Sequence, residues 1–292
     1  MRKILVFGQS GQVAQSLADL TSSHFEIKCV GRPAGDIVNA ASVTHEIDTF
    51  HPDLVINAAA YTAVDKAETE KELAFAVNCD GPRNLAKACK SANVPLIHYS
   101  TDYVFNGTGE DAWTETDITS PLGVYGESKL EGERALQETW DKHYILRTAW
   151  VYSPYGQNFV KTMLRLSQDR DALNVVDDQV GNPTYAPDIA AATLLLAERA
   201  LSPDAHFGTY HLAGSGSTSW FGFAKSIFED NADLIATTCD VHPIPSTAYP
   251  TPAERPKNSR LDCTKLSDIH GIELPTWQSS VRRCIKVLAE GF

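Results

Sequence analysis

No Cys-x-x-Cys and no His-x-x-x-His pair occurs among the six cysteines and nine histidines of this 292-residue chain. That scatter argues against a structural zinc site or a redox dithiol. The cysteine count is even, but a chain this long without an export signal is expected to keep buried thiols, not disulfides. The opening Met-Arg-Lys is followed by a short apolar run, Ile4 to Phe7, which is no signal-peptide core. Nowhere do apolar residues approach the roughly 18 consecutive positions of a membrane span. Positive charge is also scarce, with 25 Lys and Arg against 37 Asp and Glu and a formal net charge of −12. The resulting field repels polyanions, so neither nucleic acid nor an anionic membrane is an expected partner. A small anionic ligand remains compatible where basic residues gather at one site. Internal repeats, low-complexity tracts and the Gly-Lys-Ser/Thr of an NTPase loop are absent too. These absences leave a cytoplasmic, globular protein.

What is present alternates. Short apolar runs at 4–7, 25–30, 54–56, 96–100 and 144–148 read as strands, with helices expected at 12–20, 69–91 and 124–137. Continuously apolar strands separated by helices form a parallel sheet covered on both faces. The expected fold is α/β, a Rossmann-type doubly wound parallel sheet with a smaller, mixed C-terminal substrate domain. Beyond Trp150 the pattern loosens into helices at 158–166, 188–200, 220–229 and 281–288 and a strand at 174–176. The length suits two domains at about 150 residues each: 1–150 plus 186–213 for a dinucleotide, and 151–185 plus 214–292 for a substrate. Pro243, Pro245, Pro250, Pro252 and Pro256 mark a long irregular segment, read as a binding loop.

The first strand runs into Gly8-Gln9-Ser10-Gly11-Gln12-Val13-Ala14 and a helix. Gly8 permits a tight turn, Gly11 lets backbone amides approach a pyrophosphate, and Ala14 keeps helix and strand close. The spacing departs from Gly-x-Gly-x-x-Gly, and a plain glycine-rich turn is the competing reading. The second strand ends in Val30-Gly31-Arg32 without the carboxylate that binds NAD ribose. Arg32 is suited to the 2′-phosphate of NADP, unless it is an ordinary surface arginine. Asp36 and Ile37 lie where the chain can pass an adenine.

Tyr125 and Lys129 stand four residues apart, on one face of a helix. A cation about 4 Å from a phenol at an effective dielectric of 20 contributes roughly 4 kcal/mol, nearly three pKa units. Such a phenol can donate a proton to a carbonyl and be reprotonated. By itself the spacing is common by chance. Behind a dinucleotide turn it favours proton transfer, with the Thr101 hydroxyl after the 96–100 strand placed to bond the same carbonyl.

Together these pieces resemble the extended short-chain dehydrogenase/reductase superfamily and, within it, the dTDP-4-dehydrorhamnose reductase family. The likeness runs through Asn57 to Glu68, His98 to Phe105, Pro121 to Gly126, Arg147 to Tyr152, Asp178 to Thr184 and Thr247 to Leu261. It implies that Tyr125 is the proton donor, Lys129 its partner on the nicotinamide ribose, and Thr101 the group that tunes the carbonyl. It places Gly11, Gln12, Val13, Asp36, Ile37, Ala60, Tyr61 and Thr62 at cofactor positions, and Thr101, Asp102 and Trp150 against the deoxysugar nucleotide. Arg255, with Lys257 and Arg260, would meet the substrate diphosphate, the competing reading being a solvated cluster. The implied reaction is NADPH-dependent reduction of the 4-keto group of dTDP-4-dehydro-6-deoxy-L-mannose to dTDP-L-rhamnose, with NADH as the alternative reductant.

Some members of that family hold Mg²⁺ between subunits on glutamates. Here the first helix reads Ala14-Gln15-Ser16 and a later one opens Ala186-Pro187-Asp188. No metal site is therefore expected, Mg²⁺ is left open, and the chain is expected to be a monomer or weak homodimer. Two alternatives stand beside the reductase: a non-catalytic dinucleotide-binding regulatory subunit, and a nucleotide-sugar epimerase or dehydratase. Dehydratases of the superfamily follow Ser-Thr-Asp with a glutamate, where this sequence has Tyr103.

Overall fold

The computed structural model describes residues 1–20 and 24–291. From the N-terminus, β1 (Arg2–Phe7), α1 (Gln12–Ala18), β2 (Phe25–Val30), α2 (Ala40–Phe50) and β3 (Leu54–Asn57) are followed by the short helices α3 (Val64–Ala67) and α4 (Lys71–Phe75). A π-helical turn at Ala76–Asp80 then leads into α5 (Gly81–Ala92), β4 (Leu96–Thr101), α6 (Val124–Thr139), β5 (His143–Thr148) and β6 (Val151–Tyr152). Next come α7 (Phe159–Leu166), β7 (Ala172–Val176), β8 (Val180–Gly181), β9 (Thr184–Tyr185), α8 (Ala186–Ala200) and β10 (Gly208–His211). The chain closes with β11 (Thr218–Ser219), α9 (Trp220–Glu229), β12 (Asp240–Ile244), β13 (Asn258–Ser259), α10 (Thr264–His270) and α11 (Trp277–Ala289).

The main sheet is parallel, in the order β10-β5-β4-β3-β1-β2. The chain reverses its direction of travel across the sheet between β1 and β3, and a crevice for ligands opens beyond the carboxyl ends of strands at such a point. One face of the sheet packs Ile4, Val6, Ile56 and Leu146 against Leu17 of α1 and Ile189, Leu196 and Ala197 of α8. The other packs Leu5, Val55 and Ile145 against Val43, Leu85 and Leu136 of α2, α5 and α6. Burial on both faces is why these strands read as unbroken apolar runs.

A second core gathers Tyr152, Val160, Leu173, Phe223, Trp277 and Val281 from the chain after β5. Leu266, Ile272 and Leu274, around α10, instead join the main-sheet core. Several elements differ from the sequence expectation. The helix expected over 69–91 is divided by the π-helical turn, α2 and β10 carry no strong apolar period, and part of the proline-rich segment is strand β12. Pro243 is tolerated because β12 pairs only with β7, so its missing N–H falls on a free edge. Among the described residues, no helix is long and apolar enough to cross a membrane.

Candidate active site

The glycine turn lies at the carboxyl end of β1, beside Ala58 from the end of β3. Gly8 has φ +131°, and an added Cβ would meet the Ala58 carbonyl carbon at 3.0 Å, so this position demands glycine. Gly11 differs. Its φ is −75°, and the nearest protein atom to an added Cβ is 3.9 Å away. Neither backbone strain nor crowding within the chain calls for glycine there, so the open space beside Gly11 suits a ligand lying on the backbone. Gly31 is tightly covered by Gln9, and the next residue, Arg32, is exposed without an ion pair among the described residues. Ile37 is 3% exposed and packs into the core against Gly81, while Asp36 accepts a bond from Val38 N. Ala60 and Thr62 are exposed on the loop after β3, with Tyr61 half-buried between them.

Three side chains converge beyond the end of β4. Thr101 Oγ1 donates to Asp102 Oδ1 at 3.0 Å, and the same hydroxyl bonds the Tyr125 phenol. Tyr125 lies on the first turn of α6, with Tyr103 edge-on to its ring at 5.4 Å. Burial raises the Tyr125 pKa, Asp102 and Tyr103 push the same way, and Thr101 opposes them. One helical turn on, Lys129 is 2% exposed and donates to the Tyr99 carbonyl at 2.6 Å. Burial lowers the Lys129 pKa to about 8, against an opposing pull from Glu133. The two side chains share the sheet-facing side of α6, but desolvation raises the phenol where a lowering was expected, and Lys129 is not among the groups that shift it. At neutral pH the phenol is protonated and the lysine mostly charged, the pair of states a proton donor to a ketone needs. Burial also raises Asp102 to about 6, with the Ser259 and Thr101 hydroxyls pulling it down.

Trp150 holds a left-handed backbone at φ +48° and stacks on Trp220 at 3.5 Å. Gly181 closes on the same indole, so at most one ring face is left to a sugar. Arg255 pairs with Asp65 at 2.8 Å and lies 6.0 Å from the Tyr103 ring centroid, with Nη1 buried and unpartnered. Lys257 is 3.6 Å from Asp178, and Arg260 donates to the Glu110 carbonyl at 3.0 Å. Of the three basic residues in this loop, Arg255 alone reaches the Tyr103–Tyr125 pair.

The chain matches a family model described as the RmlD substrate binding domain over residues 1–290. A dTDP-4-dehydrorhamnose reductase of Sinorhizobium fredii is 48% identical over 292 residues, covering 99% of each chain. The chain belongs to the dTDP-4-dehydrorhamnose reductase family. Among solved structures, a dTDP-4-dehydrorhamnose reductase from Clostridium acetobutylicum is similar at a TM-score of 0.91 and 38% identity, covering 98% of this chain and 99% of that one. The Bacillus anthracis enzyme, solved in complex with NADP, also reaches 0.91, at 35% identity and with coverage of 97% and 99%.

Within this reductase family member, several supporting residues escaped the sequence reading. Asn78, on the π-helical turn, bonds both Tyr61 N and O, at 2.8 and 3.0 Å, and donates to Ser128 Oγ at 3.0 Å. It thereby ties the loop after β3 to the residue preceding Lys129. Glu68 accepts from Val124 N at 2.9 Å and caps α6 from outside the helix. The sequence from 69 to 91 read as one helix, so nothing local pointed to Asn78 or to Glu68. No group of three or more His, Cys, Asp or Glu that could hold a metal occurs among the described residues. Asp188, at the start of α8, is held by Arg283 at 2.6 and 2.8 Å and by Ser280 at 2.6 Å.

Proposed function

We propose that this chain reduces the 4-keto group of dTDP-4-dehydro-6-deoxy-L-mannose to dTDP-L-rhamnose with NADPH. The carrying observation is that Tyr125 meets Thr101 at the carboxyl end of β4, while Lys129, one turn on along α6, bonds the Tyr99 carbonyl of the same strand. The open Gly11 and the free Arg32 fit the pyrophosphate and 2′-phosphate of NADPH, which supplies the hydride for C4 when bound. Tyr125 gives its proton to the carbonyl oxygen as that oxygen gains charge, and the Thr101 hydroxyl turns from Asp102 to donate to the same oxygen. The Lys129 ammonium stabilises the phenolate left behind. With one donor used on Tyr99 O, it has others for the nicotinamide ribose. Asp102 and one face of Trp150 border the sugar, and Arg255 lies nearest for a diphosphate.

In this reading residues 1–150 with 186–213 hold the dinucleotide, and 151–185 with 214–292 hold the sugar nucleotide. Six free thiols suit the cytoplasm. Supplying the keto-sugar nucleotide with NADPH or NADH, with Mg²⁺ or with EDTA, and following the nicotinamide absorbance tests the reading. Stoichiometric loss of NADPH, faster than NADH and unaffected by EDTA, is expected. A cofactor bound but regenerated would indicate an epimerase or dehydratase, and one bound but never oxidised a regulatory subunit.

A further inference from the structure

Gln12 sits on the glycine turn, yet its side chain leaves that turn. Its Nε2 donates to the Val151 carbonyl at 3.3 Å, while its Oε1 accepts from Ser153 Oγ and from Asn158 Nδ2, each at 2.9 Å. Two donors on the oxygen and one acceptor on the nitrogen fix the amide in a single orientation, because a flip would set like groups against each other. The receiving segment is tied within itself. Asn158 Nδ2 also reaches the Ser153 carbonyl at 2.7 Å, and Asn158 Oδ1 caps α7 by accepting from Lys161 N at 3.2 Å. Ser153 is fully buried, and Tyr155 reaches Asp19 at the end of α1. Val151 directly follows Trp150, whose carbonyl accepts from Thr184 N at 3.1 Å and whose backbone keeps a conformation that non-glycine residues avoid.

We infer that the Gln12 carboxamide, gripped by Val151, Ser153 and Asn158, is a latch through which an occupied cofactor turn sets the position of Trp150. Ser153 and Asn158 are then positioning residues for the sugar nucleotide. The inference rests on the cofactor and substrate reading above. A ligand that fixes the turn orders the Gln12 side chain, and with it the 151–158 segment behind Trp150. Reciprocity follows: whatever one ligand does to the affinity of the other is returned in equal measure. No residue of the latch touches the reacting atoms, so it acts on binding of the sugar nucleotide before it acts on chemistry.

The test titrates dTDP onto the full chain by calorimetry with and without saturating NADP⁺, for the wild type, Ser153→Ala, Asn158→Ser and Gln157→Ala. Serine caps a helix about as well as asparagine, so Asn158→Ser keeps α7 while losing reach to Gln12. Gln157 is exposed and outside the latch, and its variant controls for general loosening of the segment. In the wild type, NADP⁺ is expected to tighten dTDP by at least about fivefold. Ser153→Ala and Asn158→Ser should each bring that factor below about twofold, with NADP⁺ affinity alone little changed and the KM for the keto-sugar raised more than kcat is lowered. Gln157→Ala should retain the wild-type factor. A merely structural role would weaken both ligands and leave their ratio intact, and that result overturns the inference. A wild type that binds both ligands independently overturns the latch alone. A wild type that binds neither removes the functional reading and the latch with it.

Discussion

At the residue scale the protonation states follow from burial. Tyr125 is held protonated by desolvation, and Lys129 is lowered to about 8 by the same cause. Tyr125→Phe keeps the ring and its contact with Tyr103 but removes the proton. Its turnover is expected to fall roughly 10²–10⁴-fold with little change in NADPH affinity, as initial rates and cofactor titration would record. The Lys129 ammonium exists below its pKa and is lost above it, so kcat/KM for the reduction should decline as pH rises past about 8. A profile flat to pH 10 would contradict the lowered pKa of Lys129. Arg32→Ala should reduce the preference for NADPH over NADH roughly tenfold, through loss of one charge-assisted contact to the 2′-phosphate, as the ratio of kcat/KM values reports. Tyr125, Lys129 and Thr101 were legible as candidates because each sits in a recognisable local pattern. Their protonation was not, because desolvation depends on what α6 packs against.

At the element scale, α6 is held against the sheet by close approach and by a buried ion pair. A Cβ on Gly132 would meet the Asn78 carbonyl oxygen at 2.0 Å, and one on Gly126 the Tyr103 carbonyl at 2.2 Å. Arg147 of β5 grips Glu133 of α6 through Nε at 2.9 Å and Nη2 at 2.6 Å, with both side chains under a tenth exposed. Breaking such a pair strands a buried charge, so Arg147→Met is expected to cost about 3–5 kcal/mol in denaturant unfolding. A loss below 1 kcal/mol would show that Glu133 finds another partner. Five of the six strands of the main sheet, all but β10, were readable from the sequence. Helix α2 was not, although Asn39 caps it by accepting from Ala41 N and Ser42 N. Strand β10 is four residues long and is defined by its pairing with β5, which no local pattern encodes. The π-helical turn that carries Asn78 breaks the helical period that made 69–91 look continuous.

At the scale of the whole molecule, an acidic protein with a net charge of −12 is read as binding two anionic ligands. The parallel sheet makes that workable by collecting its functional loops at one edge, where the glycine turn, Arg32, the loop after β3, Thr101 and the start of α6 meet. That layout was legible from strand and helix alternation. The joining of the cofactor turn to the 151–158 segment was not, because Gln12 meets residues more than a hundred positions away in the chain. Because both ligands bind the folded chain, NADP⁺ at a hundredfold excess over its Kd should add about 2.7 kcal/mol of stability. That corresponds to a melting-temperature rise of roughly 5–10 °C, and an unchanged melting temperature would deny the crevice a dinucleotide.

The reduction itself is tested most directly by isotope transfer. NADPH carrying deuterium at the reactive nicotinamide carbon is mixed with the keto-sugar nucleotide, and the recovered sugar is examined by mass spectrometry and NMR. One deuterium at sugar C4, with one NADPH consumed per product, is the predicted result. A product without label, formed while the cofactor remains reduced, would contradict it.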